Sequence, residues 1–453
     1  MSLLTDRLSS FWSRVNSSLF PALEEADVEM TPKLYKFVTL LEFLQIELFV
    51  PPHSAYQVGA KPHDRRCLAR AFVAKAYYNA PETKSFRDRL LHDKDLRKVC
   101  GWASRGDVPS ESTFSRAFAW FADIGLNDQV LAAQVQVWLG DTIIRDVSTD
   151  STAIEAREKP VTRANPPADM PPSDTASTES ALSATDEASH TPPVSGQVDH
   201  IAQINIVSQA QLVAESMPVG ASTIETNRSA TEQTSRVPME TEQQKHTKKP
   251  KKIIKKATNN KSLDQLYSPA EMSRLQRQID QVPEIALLEL RTACDVGCKT
   301  NSKGNKDYWI GYKLHARVAE GCLPLIAVTT AASVHDSQVT IPLMKMCDRL
   351  VTSLYELKDR AYDAHFIRKA AELAGHVPII DYIKRRGQER ARALDPDRAE
   401  HYKGRTVVER FNARLKDEFG GDMVRVRGNR KVHAHLMFGV LLIFADQLLQ
   451  LHQ

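Results

Sequence analysis

YWIGYKLHARVAEGCLPLIAVTTAA, residues 308–332, decides the fold class. Two runs rich in β-branched, aromatic and other apolar residues, 308–319 and 322–332, meet at Glu320-Gly321, a hairpin signal. Upstream, TIIRDVST (142–149) is a third run of this kind. Downstream the spacing turns helical from about Ser337 to Leu350. A strand SLYELK (353–358), a helix from His365 to Ala374, a strand HVPIID (376–381) and a helix from Gly404 to Glu418 follow.

Strand, strand, strand, helix, strand, helix, strand, helix is the order found in ribonuclease-H-like folds. The expectation is an α/β core with a mixed sheet flanked by helices. Residues 1–140 read instead as all helical, with helical apolar spacing through TPKLYKFVTLLEFLQIELF and RRCLARAFVAKAYY. Within them DVPSESTFSRAFAWFADIG predicts a turn and a capped helix from about Ser110 to Ala122. It would show Ser112, Ser115 and Arg116 outward and Phe114, Phe118 and Phe121 inward, as a DNA-reading helix or any amphipathic helix would.

Composition divides the 453 residues. No Phe, Trp or Tyr occurs between Trp138 and Tyr267, and residues 161–244 hold eight prolines, 11 acids and 3 bases. So little apolar surface cannot offset the entropy of ordering, so disorder is expected there. A run with eight Lys and no acid follows at 245–261, and Ser268-Pro269-Ala270-Glu271 then opens a helix to about Gln281. The expected organisation is a helical domain at 1–140, which the resemblance named below makes DNA-binding, an α/β domain at 141–160 and 264–453, which it makes catalytic, and a disordered insertion at 161–263. Six cysteines with no CxxC pair indicate neither a disulfide scaffold nor a structural zinc site and point to a reducing compartment. The apolar stretch LMFGVLLIFA (436–445) is half a bilayer span and reads as a buried helix, so no membrane association and a cytoplasmic, nucleoid-associated chain are expected.

Three acids fall where this strand order would gather them. Asp150 ends the first strand, Asp359 follows the fourth, and Glu409 lies in the last helix. Converging carboxylates need a neutralising cation, and oxygen ligands suit Mg²⁺ or Mn²⁺. Two such ions about 4 Å apart can activate an attacking oxygen and stabilise a leaving one. Asp336, at an N-cap position in AASVHDSQV, and Asp363 are rivals to Asp359; Asp146 and Glu155 are rivals to Asp150. His335 reads as a hydrogen-bonding residue rather than a ligand. Tyr402, Arg405, Glu409 and Lys416 have the spacing Y-x2-R-x3-E-x6-K. Arg405, Glu409, Asn412 and Lys416 share one helical stripe, while Val408, Phe411 and Leu415 would anchor the helix. An ordinary surface pair between Arg405 and Glu409 explains the stripe as well as chemistry does.

Net charge is only +4, yet residues 384–431 carry 15 Lys or Arg against 8 Asp or Glu. Lys384, Arg385, Arg386, Arg410, Arg414, Arg425 and Arg427 bracket the Glu409 helix and are expected to meet phosphates. Trp309 and Tyr312 are expected in the core.

DSTAIEARE, VHDSQ, KDRAYDA and the Y-R-E-K helix resemble the DDE transposases of bacterial insertion sequences, most of all the group numbered four and its relatives. The likeness covers roughly 270–453 and 140–160, more loosely the helical block. It implies a ribonuclease-H-like core, two divalent metals, and cutting and joining of double-stranded DNA at transposon terminal repeats and targets by a homodimer. It carries the family's carboxylates onto Asp150, Asp359 and Glu409, and its DNA-gripping residues onto Tyr402, Arg405 and Lys416. The long acidic insertion departs from the family. A domesticated repressor that binds terminal repeats, or a nuclease of the same fold, is the alternative.

Overall fold

The computed structural model describes residues 2–52, 62–161, 273–300, 304–384, 392–422 and 424–451. The expected disordered segment lies outside the described residues apart from Val161, as do the Ser268 capping box and the pair Arg385 and Arg386.

The N-terminal block is helical: α1 (Ser2–Arg14), α2 (Phe20–Glu25), α3 (Pro32–Leu44), α4 (Arg65–Tyr77), α5 (Thr83–His92), α6 (Lys94–Cys100), α7 (Glu111–Asp123) and α8 (Leu126–Leu139). Side-chain caps start several of them. Thr31 accepts from Leu34 N, Asp64 from Arg66 N and Asp93 from Leu96 N, each worth about 1 kcal/mol. On α7, Phe114, Phe118 and Phe121 are buried and Ser112, Ser115 and Arg116 are turned outward, as the spacing predicts.

The sheet half runs β1 (Ile143–Glu155), α9 (Arg274–Asp280), α10 (Pro283–Leu288), β2 (Asp295–Thr300), β3 (Lys306–Ala319), β4 (Leu323–Ala331), α11 (Ser337–Cys347), β5 (Thr352–Lys358), α12 (His365–Leu373), β6 (Val377–Ile380), α13 (Pro396–Tyr402), α14 (Thr406–Asp417) and α15 (Asn429–Gln450). Across the sheet β4, β3, β1, β5 and β6 are neighbours, with β2 pairing the leading half of β3. β1 is antiparallel to β3 and parallel to β5, and β5 is parallel to β6. This is the expected ribonuclease-H-like arrangement. Gly311, where β1, β2 and β3 meet, has φ +151°, and a Cβ there would lie 2.2 Å from the Ile154 carbonyl oxygen. Only glycine lets the strands approach so closely.

Three details differ from the sequence reading. β1 continues to Glu155, because its second half pairs with β3 throughout, so Asp150 lies within the strand and not at its end. β2 was not foreseen. The helix expected from Gly404 to Glu418 is α14, entered through a 3₁₀ turn Lys403–Arg405, and α13 before that turn was not foreseen.

α15 holds the two halves together. It has 22 residues and is apolar on every side, as a helix surrounded by protein should be. It packs against α3, α4, α7 and α8 of the helical block and against β4 and α14 of the sheet half. Of the described helices it is the one long and apolar enough to cross a membrane, but 83% of its apolar window is buried inside this protein. The helical block and the sheet share one continuous hydrophobic core.

Candidate active site

The parallel pairing of β1 with β5 builds the site. Val147 lies opposite Glu356 and Ser148 opposite Leu357. Two steps further, the same register sets Asp150 level with Asp359, the first residue beyond β5. Residues level on neighbouring strands project to the same face. Asp359 is fixed by its backbone: it caps the 3₁₀ turn Arg360–Tyr362, with Ala361 N donating to Oδ1 at 2.9 Å. Among the described residues neither Asp150 nor Asp359 forms an ion pair within 4.0 Å.

Asp336 is the third carboxylate here. It occupies the N-cap position of α11, yet its side chain makes no cap hydrogen bond. Lys313, on β3, donates to Asp336 Oδ1 at 2.9 Å and to the Val334 carbonyl at 3.0 Å. His315 Nδ1 stands 4.0 Å from the same oxygen, and its Nε2 meets Thr330 Oγ1 at 2.9 Å. A long-range cation has thus claimed a side chain that local rules assign to a cap.

Electrostatics ties the three aspartates together. Burial pushes Asp150 up to about 6, Asp359 and Asp336 add to the rise, and the Ser151 amide and Arg405 oppose it. Burial also raises Asp359, helped by Asp336 and opposed by the Ala361 amide and Arg405. For Asp336 burial works upward too, but His315 and Lys313 outweigh it and hold the carboxyl below its ordinary value. The phenol of Tyr362, 1% exposed, is driven upward by burial and by Asp336, Asp150 and Asp359 together. Its hydroxyl has no hydrogen-bond partner among the described groups. The charges of all three aspartates thus reach one buried phenol.

Arg405 connects this cluster to the Glu409 helix. Val408, Phe411 and Leu415 are buried and anchor α14, as the helical spacing requires. Arg405 Nη2 donates to Glu409 Oε1 at 2.7 Å, and its guanidinium lies 5.7 Å from the Tyr402 ring. Burial disfavours its charge, but Glu409, Tyr402 and Asp150 more than compensate. Arg405, the last residue of the 3₁₀ turn before α14, thus lowers the carboxyls of both Asp150 and Asp359. α13 is fastened to β1 by His401, whose Nδ1 is 2.9 Å from Asp146 Oδ1. That contact, with Arg145, occupies Asp146. Asp363 is likewise engaged, by Arg368 at 2.8 Å and the Ile383 amide at 3.0 Å. Exposed His335 sits against Ser337 Oγ at 2.8 Å.

Beneath the other face of the sheet Arg317, Glu356 and Lys358 form a buried ionic triad, none more than 1% exposed. Arg317 grips both carboxylate oxygens of Glu356, and Lys358 shares one of them. Burial opposes the Glu356 charge, but the two cations bring its carboxyl down to about 2. Lys358 precedes Asp359, so the triad stiffens the strand end that presents the candidate ligand.

Sequence reasoning missed Lys313, Tyr362 and this triad. A signal was available: Lys313, His315 and Arg317 alternate on a strand expected to lie in the core, and polar residues at period two there must find partners inside.

The cationic candidates divide. Arg410, Lys384, Arg425 and Arg427 are exposed. Lys416 is half-buried, and burial lowers its ammonium although Asp422 and Glu155 favour the charge. Arg414 is engaged by Glu418 at 2.9 Å, Asp446 at 2.6 Å and Gln447 at 3.0 Å, tying α14 to α15. Tyr312 is 1% exposed and its hydroxyl donates to Glu158.

The donor set fits a divalent cation. Asp150 and Asp359, level on neighbouring strands, offer carboxylates free of ion pairs among the described residues, and the buried Tyr362 hydroxyl lacks a partner there, which is hard-ion chemistry. As the side chains stand, no three His, Cys, Asp or Glu among the described residues converge on one point. Glu409 is held back by Arg405, and Asp336 by Lys313.

Residues 292–444 match the family model described as a transposase DDE domain, and residues 23–120 match the one described as Transposase domain (DUF772). The chain belongs to the DDE transposases. No curated protein and no solved structure matches it. The DDE match takes in Asp336, Asp359 and Glu409 and stops short of β1 with Asp150. The other covers α3 to α6 and most of α7.

Proposed function

We propose that this transposase cuts DNA at transposon ends and joins the freed end to target DNA, with Asp150, Asp359 and Glu409 holding Mg²⁺ or Mn²⁺. The observation that carries the reading is the level placement of Asp150 and Asp359 on parallel neighbours, both without a cationic partner among the described residues. Bound divalent ions would supply Lewis-acid activation of the attacking and leaving oxygens. Water attacks the scissile phosphorus in line, the P–O3′ bond breaks, and a 3′-hydroxyl is released. That hydroxyl then attacks a target phosphodiester, exchanging one P–O bond for another without a covalent protein intermediate.

The protein's own groups set the geometry. The Ala361 amide, donating to Oδ1, orients Asp359. Arg405 is placed to offset charge that builds on the phosphoryl oxygens. When a phosphate draws Arg405 away, Glu409 is released toward the aspartates. Tyr402 and Lys416 flank this helix, and exposed Arg410, Lys384, Arg425 and Arg427, with Arg385 and Arg386, supply phosphate contacts. The Y-R-E-K spacing is the reason for assigning the group numbered four. The helical block would hold the terminal repeats, and a homodimer would pair two ends.

A strand-transfer assay tests this reading. A pre-nicked terminal-repeat duplex with a free 3′-hydroxyl, mixed with plasmid and Mg²⁺, should become joined to the plasmid by wild type. Cleavage without joining would make the chain a nuclease; binding without either would make it a repressor.

A further inference from the structure

Away from the carboxylates, α4, α7, α15 and the turn after α14 enclose a cavity of about 290 Å³. Its apolar wall includes Phe72, Phe118 and Phe438, with the Phe72 and Phe438 rings stacked at 5.8 Å and Phe118 and Phe438 at 6.4 Å. Its charged lining is cationic, Lys75, Arg427 and Lys431, beside the neutral polar groups of Thr83, Ser115 and His435, with no Asp or Glu among the described lining residues.

Lys75 is the unusual member. It is 8% exposed, and among the described residues its ammonium has one hydrogen bond, to the Pro81 carbonyl at 3.5 Å, the outer limit of such a bond. Glu82, the carboxylate that most favours its charge, is also 3.7 Å from Arg425. Burial brings the ammonium down to about 8. A buried cation without an anion costs free energy unless something binds it. Arg427 spends its Nε on the Arg157 carbonyl at 3.2 Å, leaving its terminal nitrogens without a described partner.

We propose that this cavity binds a nucleoside phosphate, with the phosphate on Lys75 and Arg427 and the base against the phenylalanine wall. The volume lies just under the lower bound of ligand cavities, which run about 300–1,000 Å³, so it has room for no more than one nucleotide and none for a duplex. Stacking on aromatic rings tolerates any base, and the hydroxyls of Thr83 and Ser115 add donors at the rim. The nucleotide has two sources with the same chemistry, a free mononucleotide or the phosphorylated end of a single DNA strand. Binding here needs neither metal nor Asp150, so it can fail while the catalytic reading stands, or stand while that reading fails.

Isothermal titration calorimetry of the full chain tests it, using deoxyadenosine monophosphate, deoxyadenosine, inorganic phosphate and a 5′-phosphorylated single strand. The expected result is binding of the monophosphate or the strand that weakens at least about tenfold in Lys75→Met and in Arg427→Gln. The monophosphate binding in this way identifies a free nucleotide; the strand alone doing so identifies a chain end. No binding of either probe, or equal binding by wild type and both variants, overturns the proposal. So does inorganic phosphate binding as tightly as the monophosphate. If Lys75→Met fails to fold, Arg427→Gln decides with the monophosphate alone, since Arg427 is also a proposed DNA phosphate contact, is exposed, and can be lost with the core intact.

Discussion

Replacing Asp150 by Asn should stabilise the metal-free protein. Its carboxyl is raised from 3.8 to about 6, first by burial and then by Asp359 and Asp336. Each unit is worth 1.36 kcal/mol, so the ionised group destabilises the fold by up to about 3 kcal/mol. A raised carboxyl pKa means the folded state binds the proton more tightly than the unfolded chain. The penalty is therefore absent below about pH 4, grows from 4 to 6, and is complete above 6. Asn keeps the shape, never ionises, and removes a charge that also burdens Asp359. In EDTA at pH 7.5, differential scanning calorimetry should show Asp150→Asn melting a few degrees above wild type, with the gap closing by pH 4. Saturating Mn²⁺ should narrow or reverse the order, because only wild type retains all its ligands. A variant that melts below wild type in EDTA, or by a margin independent of pH, would refute the electrostatic account of the site.

Other tests follow from the same geometry. The thermal shift that Mn²⁺ gives wild type should be full above pH 7 and fade as pH falls through about 6, since the ion must displace the Asp150 proton. Arg405 lowers the Asp150 carboxyl, so Arg405→Gln should move that fade to higher pH in the same titration. Glu356→Leu leaves Arg317 and Lys358 buried without their anion and should cost about 3–5 kcal/mol in urea denaturation. Arg414→Ala should lower the melting temperature and leave the salt dependence of DNA binding unchanged. Arg410→Ala should reduce the slope of log K against log salt by about 1 and spare stability.

How far the sequence could be read depended on whether local pattern or long-range contact decides each residue. β3, β4, β5 and β6 were legible because their apolar residues mark strands whatever lies beside them. β2, with the sequence DVGCKT, carries no such pattern and is a strand because the leading half of β3 offers it hydrogen bonds. The end of β1 was misplaced for the same reason: STAIE looks like a loop entry but pairs with β3 to Glu155. Asp336 reads locally as a cap, and only Lys313, 23 residues earlier, reveals otherwise. Arg317 and Lys358 would be exposed by any composition rule, and nothing short of the fold shows Glu356 between them. The spacing that joins Arg405 to Glu409 was readable, but not that Arg405 stands between that glutamate and the aspartates.

The most direct test is metal-dependent cleavage of terminal-repeat DNA by wild type, Asp359→Ala and Asp336→Ala. Asp359 is unpaired beside Asp150, whereas Asp336 is bound to Lys313, so the account expects Mg²⁺-dependent nicking by wild type that Asp359→Ala abolishes with DNA binding intact. Asp336→Ala should retain measurable cleavage. If Asp336→Ala is the dead variant and Asp359→Ala still cuts, the pairing of Asp150 with Asp359 as the catalytic centre is wrong.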